Sequence, residues 1–427
     1  MTASPQGERT IENDRDSATS LAGLASGLDA PGVRFTYAMR VAQFYGALFL
    51  VYGVHVPFLP IWLDAQGLTP EEVALITSVP FLVRLVVTPS TALLADSLRN
   101  HRIVIVVLAW LGLFAVAGLG TMTEFWGFML LSVPFALATM SVMPLLETIA
   151  IQGVKRYGLD YGRMRLWGSL TFIAIGLLGG RAIDTFGPEA AYWLLAGTTL
   201  VTAVAAHFLP SMEAGASPPV RTVRPSDLLG PEVRRLIASR VFLAFLVATS
   251  FCQAAHAMFY TFGSLHWQSQ GISAAATGGL WSIGVMAEVL LFAVAGRRLK
   301  DFRPETLMVV GAAASVFRWI AMGFDPPFEA LVLLQILHAL TYGAIHLGAI
   351  QFIARVAPEG LQGTIQALYA TFAIGAMLGL TTMASGPLYQ AFKGQAYFAM
   401  ACVSLVALVA ALTVRHLSAN SSEKSTS

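Results

Sequence analysis

Charged residues are scarce in this sequence. Only 12% of its 427 residues are Asp, Glu, Lys or Arg, whereas 56% are hydrophobic and the mean hydropathy is +0.68. A soluble domain has too small an interior to bury so large an apolar fraction. The composition therefore excludes an ordinary soluble protein and predicts a chain that crosses a lipid bilayer many times.

Cysteine and nucleotide-binding motifs are also nearly absent. The two cysteines, Cys252 and Cys402, each lie in an apolar run, so the sequence has neither a disulfide framework nor a CxxC metal site. No GxxxxGK[ST] motif occurs, which excludes a P-loop ATPase. The net charge of +2 comes from scattered basic residues and does not indicate nucleic-acid binding. We expect no cofactor, and transport driven by a gradient is favoured over an ATP-driven pump.

The sequence instead contains many long apolar runs. Twelve are long enough to span a bilayer, at about 38–62, 71–95, 102–121, 125–153, 164–184, 190–210, 236–264, 276–297, 304–323, 327–353, 363–388 and 395–414. Arginine and lysine cluster in alternate loops, and the positive-inside rule then places both termini in the cytoplasm.

The predicted helices form two groups of six. The longest connection, residues 211–235, is rich in Pro and Arg and is predicted to be a central cytoplasmic loop between bundles at 37–210 and 236–416. Residues 1–36 and 417–427 are polar and are predicted to be disordered tails. The sequence thus predicts an all-α membrane protein with two six-helix bundles.

The two halves also carry matching residues about 200 positions apart. Arg84 precedes Asp96 by twelve residues near the end of the second helix, and Glu288 precedes Asp301 by thirteen just past the eighth. Internal repeats of this kind are typical of transporters, so we expect the two bundles to be pseudo-symmetric.

Three charged or polar residues within the apolar runs are the first candidates for function. Glu288, Arg318 and His338 occupy overlapping depths in the eighth, ninth and tenth helices. A central acid or arginine in lipid costs roughly 2.5–3.5 kcal/mol at the low end, so these residues are expected to face one another or water. We interpret Glu288 as a proton carrier, because burial favours its neutral form and an approaching Arg318 favours its charged form.

His338 or His256 is predicted to relay the proton or bind the ligand. Two alternatives stay open. Glu288 and Arg318 can form a static ion pair, and the histidines can merely hydrogen-bond between helices.

A second set is predicted to line a substrate site near the bilayer midplane. It comprises Tyr45, Tyr52, Arg84, Gln253, Tyr260, Gln335 and Tyr342. Arg84 or Arg318 can hold a carboxylate through a bidentate pair, and the aromatic rings suit a ring-bearing ligand. Ordinary packing of these rings is the alternative.

Asp96, Glu147 and Arg165 are predicted gate residues. Glu147 lies deep in the fourth helix toward the predicted cytoplasmic side, where Arg163 or Arg165 can pair with it. A purely structural tie between these residues is the alternative.

Several segments carry a family resemblance. The two predicted halves and ALLAD (92–96) followed by Arg99 and Arg102 resemble the major facilitator superfamily, although Ala92 replaces the usual leading glycine and Ser97 the usual basic residue.

More specific segments resemble the phenylpropionic acid permease branch, which is related to lactose and nucleoside proton symporters. They are LDYGRMRLWGSLTF (159–172), QAAHAMFY (253–260), GGLWSIGVMAEV (278–289), FRWIAMG (317–323) and QILHALTYGAIHLGA (335–349). The resemblance implies proton-coupled import of small aromatic carboxylates across a bacterial inner membrane. Its functional positions fall on His256, Glu288, Arg318 and His338, and its YGRMRLWGS signature contains Arg165.

The residues and the resemblance together predict a monomeric secondary transporter that works by alternating access. The expected activity is proton-coupled uptake of a small organic anion such as a phenylpropionate-like acid, with substrate, protons and the bilayer as partners and no nucleic acid. A proton-coupled sugar or nucleoside symporter and a drug or metabolite exporter are the alternatives. An enzyme or membrane-embedded sensor is not favoured, because no catalytic domain, metal cluster or nucleophile constellation is recognisable in the sequence.

Overall fold

The computed structural model describes residues 31–211, 231–298, 302–358 and 361–426, and within these ranges the chain is helical with no strand. Residues 1–30 of the predicted tail and 212–230 of the predicted central loop lie outside the described part, as does Asp301. The prediction of an all-α fold is confirmed for the described residues.

We number the long helices along the chain. They are α1 (Pro31–Ala65), α2 (Pro70–Ser97), α3 (His101–Leu119), α4 (Phe125–Tyr157), α5 (Tyr161–Phe186), α6 (Glu189–Ala206), α7 (Arg240–Ser269), α8 (Ala274–Arg298), α9 (Pro304–Met322), α10 (Phe328–Val356), α11 (362–392) and α12 (Tyr397–Thr426). A short helix, Pro231–Ala238, precedes α7.

Eleven helical stretches in the described ranges are long and apolar enough to cross a membrane. The last, Gln362–Ala419, contains α11 and most of α12, and its backbone turns at Lys393, where φ is +50° and ψ is −128°. The count is therefore eleven or twelve, and twelve separate spans remain a prediction. Helix α1 begins at Pro31, inside the predicted tail 1–36, and α12 continues to Thr426 through the predicted tail 417–427.

Many large apolar side chains point outward from the helices, while others form buried clusters between the helices together with polar side chains such as Arg318 and His256. Val86, Leu130, Leu178 and Leu333 are each at least 66% exposed. So many exposed apolar residues on long apolar helices fit a surface that contacts lipid tails. Backbone hydrogen bonding within each helix makes this possible, because lipid offers no partner for an N–H or C=O group.

The ends of the helices define two faces of the molecule. We call the face marked by Arg99, Arg163 and Arg303 the basic face, and the face marked by the loop glycines Gly67 and Gly187 the opposite face. Both glycines have positive φ, of +86° and +82°, a conformation that other residues rarely adopt. They end α1 and α5 in tight turns.

We call α1–α6 the first half and α7–α12 the second half. The two halves touch closely along α5 and α8 near the opposite face. A Cβ atom on Gly278 would lie closer than 3.0 Å to the carbonyl oxygen of Gly176, and one on Gly180 would collide with the backbone of Ala274. Small residues allow helix backbones to approach in this way. Near the same face, Gly386 of α11 packs on the start of α2, and the second part of α7 contacts α1.

We expect Gly278→Ala to lower the stability of the purified protein by about 1–3 kcal/mol, because the new methyl group forces α5 and α8 apart. Thermal unfolding in detergent measures the change. The neighbouring Gly279→Ala is the matched control, since its Cβ would meet only a Leu177 methyl group at 3.8 Å. Equal midpoints for the two variants would contradict the close approach.

Candidate functional site

A cavity of about 480 Å³ lies between the two halves at the middle of the helices. Its walls come from α1, α2, α4 and α5 on one side and from α7, α8, α10 and α11 on the other. Its volume is in the range of small-molecule sites. A larger cavity of about 890 Å³ lies in the second half at the basic face, but its Arg355 is already paired with Glu305 and it does not adjoin the first half.

Arg318 forms the centre of a buried polar network beside the cavity. Its side chain is fully buried, and its Nη2 donates to Gln335 Oε1 at 2.9 Å while its Nη1 donates to Thr341 Oγ1 at 3.1 Å. The guanidinium also lies 4.9 Å from the Phe259 ring centroid and 4.7 Å from that of Trp319. No carboxylate of a described residue lies within 4 Å of it, so neutral dipoles and aromatic rings surround this cation.

His338 stands between Arg318 and Glu288. Its Nδ1 lies 3.3 Å from Arg318 Nη1, and its Nε2 lies 3.8 Å from Glu288 Oε2. Because guanidinium can only donate, Nδ1 accepts, and in the neutral ring the proton is on Nε2, facing the carboxylate. The direct Glu288–Arg318 ion pair considered from the sequence is not observed, and the histidine connects the two instead.

His256 is held by hydrogen bonds on both ring nitrogens. Nδ1 donates to the Cys252 carbonyl at 3.0 Å, which leaves Nε2 to accept from the Thr341 hydroxyl at 3.0 Å. Thr341 in turn accepts from Arg318. This arrangement satisfies a fully buried neutral histidine, so His256 orients the network rather than facing the cavity.

The π-helical turn Ala339–Ala344 places several of these groups within α10. Thr341 lies inside it, and the rings of His338 and Tyr342 stack across it with centroids 5.4 Å apart at 14°. Such turns occur often at functional sites, because the extra residue redirects side chains. The predicted site residues Gln335, His338 and Tyr342 of α10 thus all line the cavity, although part of the helix that carries them is not a regular α-helix.

Two arginines of the first half line the cavity opposite Glu288. Arg84 of α2 lines the cavity together with Tyr52 and Tyr342, and Arg165 from α5 lies with its guanidinium 4.1 Å from the Phe49 ring centroid. Within the described chain neither has a carboxylate closer than 4 Å. Arg165 interacts electrostatically with Glu288 across the cavity.

An aromatic wall completes the second half of the cavity. Trp281 of α8 stacks on Phe259 with centroids 4.5 Å apart, and Tyr260 lies 6.1 Å from Trp281 in a similar orientation. All three line the cavity. Phe259 packs between Trp281 and the Arg318 guanidinium, so the three rings together offer the cavity an apolar aromatic surface that suits an aromatic ring or the apolar face of a sugar.

The structure brings together most of the predicted site residues. Those that line the cavity are Tyr52, Arg84, Gln253, Tyr260, Glu288, Gln335, His338 and Tyr342, with Arg165 from the predicted gate set. Arg318 and His256 lie directly behind this wall.

The remaining predicted residues lie elsewhere. Tyr45 is fully buried in the apolar core of the first half and is not part of the cavity wall. Its ring centroid lies 5.7 Å from the Arg165 guanidinium. Asp96 pairs with His101 of α3 at 3.1 Å. Glu147 lies among the hydroxyls of Tyr45 and Tyr161 and makes no salt bridge with an arginine in the described chain.

Sequence reasoning did not assign Thr341, Phe259 and Trp281 to the site. Thr341 connects His256 with Arg318, and the other two form the aromatic wall. Both aromatic residues occur in segments singled out for their family resemblance, and the stretch QILHALTYG contains Thr341. A threonine or aromatic residue in an apolar helix has no distinctive pattern, so only its neighbours identify its role.

Two helical halves that enclose a cavity at the middle of helices of membrane-spanning length are typical of secondary membrane transporters. Residues 38–400 match the model of the MFS_1 like family. The chain belongs to this family of the major facilitator superfamily, which confirms the resemblance named from the sequence.

Two relatives and one solved structure illustrate the similarity. The chain is 32% identical over 371 residues to a "Probable 3-phenylpropionic acid transporter" of Escherichia coli K12, a match that covers 85% of this chain and 94% of the relative. It is 27% identical over 384 residues to the maltose permease of Geobacillus stearothermophilus, covering 86% and 92%. The crystal structure of nucleoside transporter NupG aligns with a TM-score of 0.73 at 17% identity, covering 88% and 98%, which supports the fold. These proteins are transporters and not enzymes.

We expect Thr341→Val to lower stability by roughly 1–3 kcal/mol, because it leaves His256 and Arg318 each without one buried partner. Thermal unfolding of the purified protein measures the loss. Thr249→Val is the control, since Thr249 is equally buried but its hydroxyl donates only within α7, with the Phe245 oxygen at 2.8 Å. A loss no larger than that of the control would show that the network is not held by Thr341.

Proposed function

We propose that this protein takes up a small organic anion, such as a phenylpropionate-like aromatic acid, together with protons by alternating access. The observation that carries the proposal is the distribution of charge in the cavity. Arg84 and Arg165 of the first half have no carboxylate within 4 Å among the described residues, and Glu288 with His338 faces them from the second half.

The two arginines support an anionic substrate. A guanidinium in a low-dielectric cavity is stabilised by an anion, and its planar fork matches a carboxylate in bidentate geometry. Packing against the Phe49 ring orients Arg165 without using its hydrogen-bond donors. One carboxylate can therefore be held between Arg165 and Arg84.

The aromatic wall supports a ring-bearing substrate. Phe259, Tyr260 and Trp281 stack on one another and provide an apolar aromatic surface on the side of the cavity opposite the arginines. An aryl group joined to a carboxylate by a short chain can contact both sides. The E. coli relative, whose name specifies 3-phenylpropionic acid, supports this substrate class.

Glu288 supports proton coupling, because it is the only carboxylate among the described residues that line the cavity. When ionised, it attracts Arg165 and competes with a substrate anion for that cation. Protonation removes the competing charge, so loading a proton favours binding of the carboxylate. His338 adjoins Glu288 and provides a route for the proton toward or away from it.

Orientation follows from the distribution of basic residues. With the basic face in the cytoplasm, as the positive-inside rule requires, both described ends of the chain lie inside the cell and the closed α5–α8 contact faces outward. We assign the protein to the bacterial inner membrane as a monomer without a cofactor.

A proton-coupled sugar or nucleoside symporter is the second candidate. Gln253 and Gln335 line the cavity, and their buried side-chain amide nitrogens have no hydrogen-bond partner. Rotation of either amide toward the cavity would let it donate to a substrate hydroxyl. The maltose permease relative favours the same class.

We expect proteoliposomes to accumulate 3-phenylpropionate when the outside is acidified, and a protonophore to abolish the accumulation. Glu288→Gln removes the titrating group, so it should lose concentrative uptake while retaining exchange of internal for external acid. Uptake of maltose and uridine by the same proteoliposomes tests the second candidate. Efflux measurements with the same compounds test an exporter. Full concentrative uptake by Glu288→Gln would contradict the assigned role of this carboxylate.

We expect Arg165→Gln and Arg84→Gln each to raise the apparent KM for the acid by about 10- to 100-fold, the effect of losing one charge-assisted hydrogen bond. Arg181→Gln is the control, because Arg181 is exposed near the opposite face and does not line the cavity. Competition by 3-phenylpropanamide, which has no charge, should change little in the same variants. Equal losses for acid and amide would exclude a specific role in binding charge.

A further inference from the structure

An acidic residue of the first half caps a helix of the second half. Asp184 lies in the last turn of α5, and its two carboxylate oxygens accept the backbone N–H groups of Ala274 at 2.7 Å and Ala275 at 2.9 Å. These are the first two residues of α8. A helix N-terminus has unpaired N–H donors and a partial positive charge, so a carboxylate there is doubly favourable.

A local serine caps the same helix end. The Ser273 hydroxyl accepts the N–H of Ala276 at 3.1 Å, and the Ser273 carbonyl accepts that of Thr277 at 2.9 Å. Both interactions stay within the second half whatever the first half does. The two Asp184 bonds are different, because they exist only while α5 and α8 are together.

The cap lies at the end of the closest contact between the halves. Gly180 meets Ala274 one turn before Asp184, Gly176 meets Gly278 one turn further, and the Ser282 hydroxyl reaches the Ile173 carbonyl at 3.4 Å. The two helices therefore run side by side and antiparallel from the opposite face toward the cavity. Separation of the halves at this face must break the Asp184 cap.

The same pair of helices carries two charged groups of the cavity. Arg165 lies on α5 roughly 29 Å along the helix from Asp184, and Glu288 lies on α8 fourteen residues beyond Ala274. The two interact electrostatically. The pair of helices α5 and α8 therefore carries the Asp184 cap at the opposite face and the charges of Arg165 and Glu288 at the cavity.

We propose that Asp184 is a positioning residue of the transport cycle, which stabilises the state closed at the opposite face by capping α8 and must release both N–H groups each time that face opens. It contacts neither the cavity nor the reacting groups. The proposal concerns this opening step and does not depend on the substrate or on proton coupling.

Side-specific labelling of a thiol within the interface tests the proposal. Ser282 is buried, and Ser282→Cys in a Cys402→Ser background places a thiol between α5 and α8. A membrane-impermeant maleimide added from the opposite face reacts with it when the helices separate. We expect Asp184→Ala to raise the labelling rate by about 2- to 30-fold, the equilibrium shift that loss of a helix cap produces.

Ser273→Ala is the matched control, because it removes a cap from the same helix end without touching the first half. It should lower thermal stability and leave the labelling rate unchanged. Asp184→Glu should restore the parent rate, and Asp184→Asn, which has one acceptor and no charge, should lie between. If Asp184→Ala does not fold, the labelling rates of the other two variants test the proposal, with Asp184→Asn expected to label faster than Asp184→Glu. A rate equal to that of Ser273→Ala in every foldable Asp184 variant would overturn the proposal.

Discussion

The arrangement of the second half depends on keeping the charge of Arg318 within a membrane-spanning bundle. A guanidinium so deep in the protein needs acceptors or aromatic rings around it, and here its two Nη atoms have hydrogen-bond partners while its buried Nε has none. Gln335 and Thr341 accept from it, His338 lies against it, and two aromatic rings cover it. The π-helical turn of α10 contains Thr341 and directly follows His338, so it positions two of the residues that contact Arg318.

Placing His338 between Arg318 and Glu288 has a mechanistic consequence. A direct ion pair would hold the carboxylate ionised and would resist proton exchange. With the imidazole between them, the arginine fixes the tautomer and orientation of the ring while Glu288 stays open to the cavity. In the proposed cycle Glu288 can then gain and lose a proton, and when ionised it attracts Arg165 on the other wall.

Each half supplies different groups to the cavity, and the two halves together form the contact that closes the opposite face. The first half supplies the two arginines, and the second supplies the acid and the aromatic wall. The halves contact each other near the opposite face through backbone approaches and the Asp184 cap. Large apolar side chains also pack between the halves, since one buried cluster contains Phe58 and Phe172 of the first half and Phe262 and Trp281 of the second. Opening at this face must therefore separate these side chains as well as the glycine contacts and the Asp184 cap.

Much of the site was predictable because charge inside an apolar run is conspicuous. The depths of Glu288, Arg318 and His338 along their helices were sufficient to group them before any contact was known. The depth argument could not order the three across the bundle, since that depends on helix rotation and crossing. For the same reason Arg165 was predicted at a gate, and it lies on the cavity wall.

Tyr45 was predicted to line the substrate site and does not. It shares a helix face with Tyr52 in the sequence, yet it packs inside the first half while Tyr52 lines the cavity. The sequence by itself determined the membrane location, the helical class and the set of buried polar residues, because lipid penalises unpaired charge and unsatisfied backbone wherever the helices pack. Only the tertiary structure decided which residues meet across the halves, since contacts such as Asp184 with the start of α8 depend on helix rotation and on backbone approaches that no local pattern encodes.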